Sequence, residues 1–211
     1  KDKTFRTEGN GMTKVKFCGL SRACDIEEAN NLMPEYIGFV FAPKSRRYVS
    51  PDRAFELKRL LIPQIKAVGV FVNETPEKIA GLLNKGVIDI AQLHGNEAEE
   101  YIGQLRQLTD KPVIQAFRIE TAVDIERAEQ STADYVLLDS GAGTGTTFDW
   151  TFIRNMKKPY FLAGGLSFDN VGKAIQQLAP YAVDVSSGIE RDGYKDKEKM
   201  AAFIAAVRKE D

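Results

Sequence analysis

Apolar residues in this chain fall in short, evenly recurring runs separated by amphipathic stretches. In the first run Val15 and Phe17 alternate with Lys14 and Lys16, the period of a strand with one buried face. The run stops at Cys18 and a glycine follows. A helix then opens, with Ser21 as its N-cap and Asp25, Glu27 and Glu28 where early turns welcome negative charge. Cys24 is expected inside this helix, facing the core with Ala23 and Ile26, as free cysteines commonly do. Further runs at 36–41, 66–72, 87–93, 112–117, 133–139, 159–164 and 181–187 read as strands, making eight with the first.

The segments between them carry helix-start signals: "SPDRAFELKRLL", "TPEKIAGLLNKG", "NEAEEYIGQLRQL" and "TAVDIERAEQ". Ser50-Pro51 and Thr75-Pro76 each set a cap before a proline at the first helical position, where its missing N–H costs little. Gly86 closes the third helix as a C′ glycine. "SFDNVGKAIQQL" and a Lys/Glu-rich C-terminal helix complete the series.

Strands alternating with helices demand parallel pairing through right-handed crossovers, and strands apolar on both faces fit a sheet covered by helices. Eight such units in about 200 residues match a closed (β/α)₈ TIM barrel of the α/β class. An open doubly wound sheet is the alternative, but "CGLSRA" lacks its G-x-G-x-x-G fingerprint. No linker-like shift in composition marks a second domain. The barrel is assigned to residues 13–211, with Met12 as an original start and residues 1–12 as an appended or disordered extension.

With 43% hydrophobic and 28% charged residues, composition is that of an ordinary soluble protein and excludes little. Charge excludes more. A net charge of -1 gives no electrostatic footprint for nucleic acid or an acidic surface. No apolar run approaches the ~20 residues that cross a bilayer, so no membrane partner is expected. The N-terminal "KDKTFRTEGNGM" lacks the apolar centre of a secretory signal. Two cysteines without such a signal point to free thiols in a reducing cytoplasm.

A barrel carries its active site at the C-terminal ends of its strands. There the sequence places Cys18, "APKSRRY", "QLHG", "LLDSGAGTGTTFDW", "AGGLS" and "DVSSGIE". The glycine-rich loops after strands seven and eight occupy the positions where barrels often hold phosphate, backbone N–H groups approaching the oxygens; the same glycines would also serve plain tight turns. Asp139 emerges from the apolar "YVLL" onto the catalytic face, suited to a general acid with a raised pKa or, alternatively, to a loop-closing hydrogen bond. The glycine-rich stretch after it is expected to fold over a substrate. Arg47 can pair a substrate carboxylate in bidentate fashion, although Lys44 and Arg46 share its loop and pattern alone does not rank them. His94 is the only histidine, and no clustered His/Cys/Glu set or nucleophile elbow accompanies it. Cofactor-free and metal-free acid–base chemistry on a phosphorylated small molecule is what remains.

"KVKFCGL", "GFVFAPKSRRYVSP", "VGVFVNE", "AQLHGNE", "LLDSGAGTGTTFDW", "FLAGGLSFDNV" and "AVDVSSGIE" together resemble the phosphoribosylanthranilate isomerases of tryptophan biosynthesis, from about Lys14 to the last helix. That resemblance implies a single barrel running an internal Amadori rearrangement without a cofactor. By motif it makes Cys18 the general base and Asp139 the general acid. It assigns Arg47 to the anthranilate carboxylate, and Gly164, Gly165, Ser187 and Gly188 to the phosphate, with His94 and Asp184 in supporting contacts to substrate. A thiol near its reference pKa of ~8.5 is a poor base at neutrality, so helix N-termini or cationic neighbours are expected to lower that of Cys18. The resemblance also leaves room for association with neighbouring pathway enzymes. Two rivals stand beside it. A histidine-pathway isomerase would carry an aspartate where Cys18 stands, and its halves would repeat. A catalytically inert phosphate-binding barrel would not need both Cys18 and Asp139.

Overall fold

The computed structural model describes residues 12–140, 153 and 156–210; residues 1–11 and the glycine-rich stretch 141–146 lie outside them. Eight strands form one sheet: β1 (Lys14–Cys18), β2 (Tyr36–Val40), β3 (Lys66–Phe71), β4 (Ile90–Leu93), β5 (Val113–Arg118), β6 (Tyr135–Asp139), β7 (Tyr160–Ala163) and β8 (Ala182–Val185). Each pairs with its successor in parallel, and β8 returns to β1 in the register Lys16↔Asp184, which closes the barrel and settles the choice against an open sheet. Seven helices accompany them among the described residues: α1 (Ala23–Leu32), α2 (Pro51–Leu60), α3 (Pro76–Asn84), α4 (Glu99–Leu108), α5 (Ala122–Gln130), α6 (Val171–Leu178) and α7 (Lys197–Arg208). None is long and apolar enough to cross a membrane.

Local signals account for most boundaries. Ser50 Oγ caps α2 by accepting from the Arg53 N–H, with Pro51 at the first helical position. Gly86 turns the chain out of α3 at φ 71°. The fourth strand starts later than its apolar run, at Ile90. Val87 and Ile88 are buried but form a corner, held where the Asp89 carboxylate accepts from the Ala67 N–H at 2.7 Å and from Lys58 at 2.5 Å. The eighth ends at Val185, and Ser187–Ile189 coil into a 3₁₀ turn. A short hairpin of β9 (Glu190–Arg191) and β10 (Tyr194–Lys195), which the apolar pattern does not announce, follows before α7.

Two expectations for α1 are corrected. Its N-cap is Arg22 rather than Ser21, and the Asp25 carboxylate accepts from the backbone N–H groups of both, at 2.9 and 3.1 Å. Cys24 and Ala23 are exposed. The buried face is Asp25, Ile26 and Ala29, because Asp25 turns inward to serve the helix's own N-terminus and Arg22.

A third correction bears on function. Val15 and Phe17 do face a core, but it is the apolar layer between barrel and helices. Lys16, on the other face, points into the barrel and is fully buried. The lumen is layered accordingly. Its floor is apolar, with Tyr36, Val68, Ile90, Ile114, Leu137, Phe161 and Ala182 in one cluster. Two residues further along β4, β6 and β8, on the same faces, come Gln92, Asp139 and Asp184. A polar layer with Lys16 at its side therefore lies directly beneath the mouth.

Candidate active site

Cys18 ends β1 at the mouth, 8% exposed, above Lys16. The Lys16 ammonium donates to Asp184 Oδ1 at 2.9 Å across the β1–β8 seam. Gly38 makes this crowding possible: a Cβ there would lie 2.8 Å from Cys18 Sγ and 3.3 Å from Lys16 Nζ. Burial pushes the Cys18 thiol up, Lys16 and Lys195 pull it down, and Asp184 pushes it up again; burial prevails and the thiol sits above its ordinary value. The expectation that cationic neighbours would lower it is thus corrected: two cations are present, but desolvation outweighs them. For Lys16, burial works downward, and Asp184 and Cys18 more than restore the charge, so it is held above the usual lysine value.

Asp139 ends β6 on the same rim. Its Oδ2 lies 3.6 Å from His94 Nε2, just past the end of β4, and His94 Nδ1 is 3.0 Å from the amide nitrogen of Gln92 below it. On its other side the loop after β7 closes in. Gly164, at φ 95°, stands where a Cβ would meet Ser140 Oγ and approach Asp139 Oδ1 to 2.7 Å, and its carbonyl accepts from Ser140 Oγ at 3.1 Å. A cavity of about 540 Å³ opens beside the pair, lined by Asn73, His94, Asn96, Ala116, Arg118 and Asp139.

Gly164 and Gly165 both take positive φ in the loop after β7, and Gly188, in the 3₁₀ turn that Ser187 begins, packs directly on the carbonyl of Leu166 in that loop. The two glycine-bearing loops meet. Beside them Lys195 reaches back from β10 to donate to the Ser186 carbonyl at 2.9 Å, and Ser186 Oγ donates to the Cys18 carbonyl at 3.1 Å.

Arg47 lies over Gly19, where a Cβ would be 2.5 Å from its Cδ, so its stem passes over the backbone that follows Cys18. Its Nε and Nη2 grip Glu190 at 2.6 and 2.9 Å; Arg46 joins at 2.6 Å and Lys195 at 2.7 Å. Burial would raise the Glu190 carboxyl, but hydrogen bonds from Arg47 and Lys195 outweigh it and hold it down to about 2. Lys44 is exposed. One bidentate edge of Arg47 is therefore already engaged, and the end-on edge of Nη1 and Nη2 is the one geometrically left for a carboxylate.

The rim thus gathers Cys18, Asp139, His94, Arg47, Gly164, Gly165, Ser187 and Gly188, while Asp184 is turned down onto Lys16. Lys16, Gly38, Gln92, Glu190 and Lys195 were not singled out from the sequence. A signal existed for Lys16: it sits two residues before Cys18, so period-two alternation sends both to the same side. Nothing in "ERDGYK" distinguishes Glu190 or Lys195 from solvated charges.

A barrel with a thiol and a carboxyl in contrasting polar settings on its C-terminal rim belongs to the (β/α)₈-barrel enzymes. Comparison with known proteins narrows this. Residues 15–206 match the family described as N-(5'phosphoribosyl)anthranilate (PRA) isomerase. N-(5'-phosphoribosyl)anthranilate isomerase of Thermoanaerobacter pseudethanolicus is 46% identical over 207 residues, covering 93% of this chain and 98% of the relative. The crystal structure of phosphoribosyl anthranilate isomerase from Thermotoga maritima superposes with a TM-score of 0.85 at 37% identity, over 94% of this chain and all of that one. A phosphoribosyl anthranilate isomerase in complex with reduced 1-(o-carboxyphenylamino)-1-deoxyribulose 5-phosphate gives 0.83 at 36%, with the same coverage. The chain belongs to the N-(5'-phosphoribosyl)anthranilate isomerase family.

Proposed function

We propose that this protein catalyses the Amadori rearrangement of N-(5′-phosphoribosyl)anthranilate to 1-(2-carboxyphenylamino)-1-deoxyribulose 5-phosphate, a cofactor-free step of tryptophan biosynthesis, in the cytoplasm. One observation carries the reading: within a chain of this family, a thiol beside a buried lysine and a carboxyl beside a histidine share one barrel rim. Neutral Asp139 gives its proton to the furanose ring oxygen as the C1–O bond breaks, and the anilino nitrogen forms the C=N bond of a Schiff base. Cys18, as thiolate, takes the proton from C2; the C–H electrons become the C1=C2 bond and those of C=N return to nitrogen. The enolamine then loses the 2-hydroxyl proton and gains one at C1, giving the ketone. Atoms and electrons balance without an oxidant or reductant.

The glycine loops of Gly164, Gly165, Ser187 and Gly188 hold the phosphate, and the end-on edge of Arg47 takes the anthranilate carboxylate, Glu190 fixing the other edge. The ligand of the homologous complex carries both groups, a carboxyphenyl and a 5-phosphate at opposite ends. Lys16 stabilises the thiolate while it exists, so that a thiol kept neutral at rest still functions as a base. Association with neighbouring pathway enzymes belongs to the same reading.

Anthranilate-fluorescence turnover with freshly made phosphoribosylanthranilate tests it. The wild type should turn over, Cys18→Ala should lower kcat at least ~10²-fold, the low end for loss of a general base, and Asp139→Asn should fall comparably. Cys24→Ala, on the exposed face of α1, should leave the rate unchanged. An inactive wild type would point to an inert barrel, and an active Cys18→Ala would remove the thiol from the mechanism.

A further inference from the structure

Gln92 is the residue that the rearrangement as described does not use and the barrel does not explain. It projects from the middle of β4 into the lumen, with no exposed surface, between the apolar floor and the mouth. Its amide nitrogen lies 3.0 Å from His94 Nδ1, while its Oε1 is the one buried side-chain polar atom among the described residues without a hydrogen-bond partner. A half-satisfied amide in a closed lumen is an unfavourable filler where an isosteric Met would fit, so its position calls for a reason other than packing. The reason lies above it. An imidazole has two nitrogens, and the bond made by one decides which carries the proton on the other. With the Gln92 N–H donating, Nδ1 accepts and the proton sits on Nε2, the nitrogen that faces Asp139 Oδ2 at 3.6 Å.

We propose that Gln92 is a positioning residue that locks the tautomer and ring orientation of His94, so that an Nε2–H is aimed at the carboxylate Asp139 becomes on giving up its proton. The inference rests on the reading of Asp139 as the acid. The gap is longer than a normal hydrogen bond and closes by a small movement of either side chain once the carboxylate forms, when a charge-assisted bond replaces a neutral contact. Stabilising the conjugate base only as it develops favours proton delivery without tightening the resting complex. Gln92 touches no substrate in this scheme; it acts through His94. Of the other charged groups near the pair, Arg118 lines the same cavity from β5 and is bound to Glu120 at 2.9 Å, and Glu97, past β4, is taken up by the N–H groups of Asn73 and Gly95.

The chain contains a single histidine, so nitrogen-15 NMR of selectively labelled protein reads this imidazole without overlap. The wild type should show Nε2 protonated and Nδ1 bare. Gln92→Met, which fills the space but cannot donate, should give an averaged, mobile ring and lower kcat about tenfold, a fraction of the ~10²–10⁴ that acid–base catalysis supplies, with KM within twofold. Gln92→Glu, which accepts at Nδ1 when ionised, should place protons on both ring nitrogens. Asp139→Asn separates the readings: in that background Gln92→Met should cost no further rate, because the group it serves is gone. An unchanged imidazole spectrum in Gln92→Met, or a protonated Nδ1 in the wild type, would overturn the tautomer lock. Additive losses in the double variant would overturn the link to Asp139, whereas full turnover by Asp139→Asn alone would sink the acid assignment and leave the spectrum of His94 to stand by itself.

Discussion

Lys16 shows how much one side chain's direction can decide. Read as the polar half of a one-faced strand, it belongs in solvent; in the barrel the same alternation puts it wholly inside, on a carboxylate and beneath a thiol. A buried lysine stays charged only with partners that favour the cation, and the register Lys16↔Asp184 supplies one along the seam that closes the barrel. The consequence for Cys18 has a sign in each direction. Lys16→Met should move the thiol titration further up and lower kcat at least tenfold, since a cation that favours the thiolate is lost. Asp184→Asn should move it down, since a carboxylate that disfavours the thiolate is lost. Thiolate absorbance against pH, measured with Cys24→Ser so that only Cys18 is seen, checks both. Shifts in the same direction would mean that the variants disturb packing rather than the field at the sulfur.

At the scale of elements, the hairpin β9–β10 is the piece that turns a generic barrel rim into a specific one. It carries Glu190 and Lys195 back over the mouth, and Glu190 collects Arg46, Arg47 and Lys195. Because the Glu190 carboxyl is depressed from 4.5 to about 2, its contribution to stability is fully present above about 4.5 and is lost as pH falls toward about 2. The acid-unfolding curve of Glu190→Gln should therefore flatten across that window. Its KM should rise roughly tenfold with kcat little changed, as Arg47 loses the partner that fixes its orientation. A variant with unaltered KM and acid sensitivity would reduce the cluster to surface ornament.

The same hairpin marks where sequence reading stops. Eight apolar runs announced eight strands, because each strand must bury two faces whatever its neighbours are. A charged six-residue turn whose partner lies 143 residues away announces nothing, because its order comes from the Arg47–Glu190 contact and not from local pattern. Cys18 and Asp139 were legible as rim residues from their positions at strand ends, whereas Arg47, in the loop after β2, was set apart from Lys44 and Arg46 only by the family motif. Gln92 and Gly38 were not legible, since their meaning depends on which neighbouring strand faces them across the lumen.

The whole molecule divides its two ends between chemistry and closure. Opposite the rim, where the strands begin, Tyr181 stacks on Tyr135 at 5.1 Å, accepts from Lys14 at 2.7 Å and shares a 3.0 Å hydroxyl contact with Tyr36, while the Phe161 ring lies 5.7 Å away. Its carbonyl also takes the N–H of Lys14, so the cluster sits on the β8–β1 seam where the sheet meets itself. From the outside α7 ties the same edge, Arg208 donating to the Thr13 carbonyl and to Glu35, whose other oxygen accepts from the Val15 N–H. This plug shares Tyr36 and Phe161 with the apolar floor of the lumen, and the floor's remaining residues lie between it and the polar layer under Cys18 and Asp139. Tyr181→Phe removes the hydroxyl that Lys14, Tyr36 and Tyr135 share and leaves the ring in place. It should lower the free energy of unfolding by about 1–2 kcal/mol, the cost of stranding part-buried hydrogen-bonding groups, and leave kcat within twofold of wild type. Urea midpoints alongside fluorescence turnover measure the two quantities independently. A fall in kcat at unchanged stability would mean that the floor transmits strain from one end of the barrel to the other, and closure and catalysis would then have to be treated as one network.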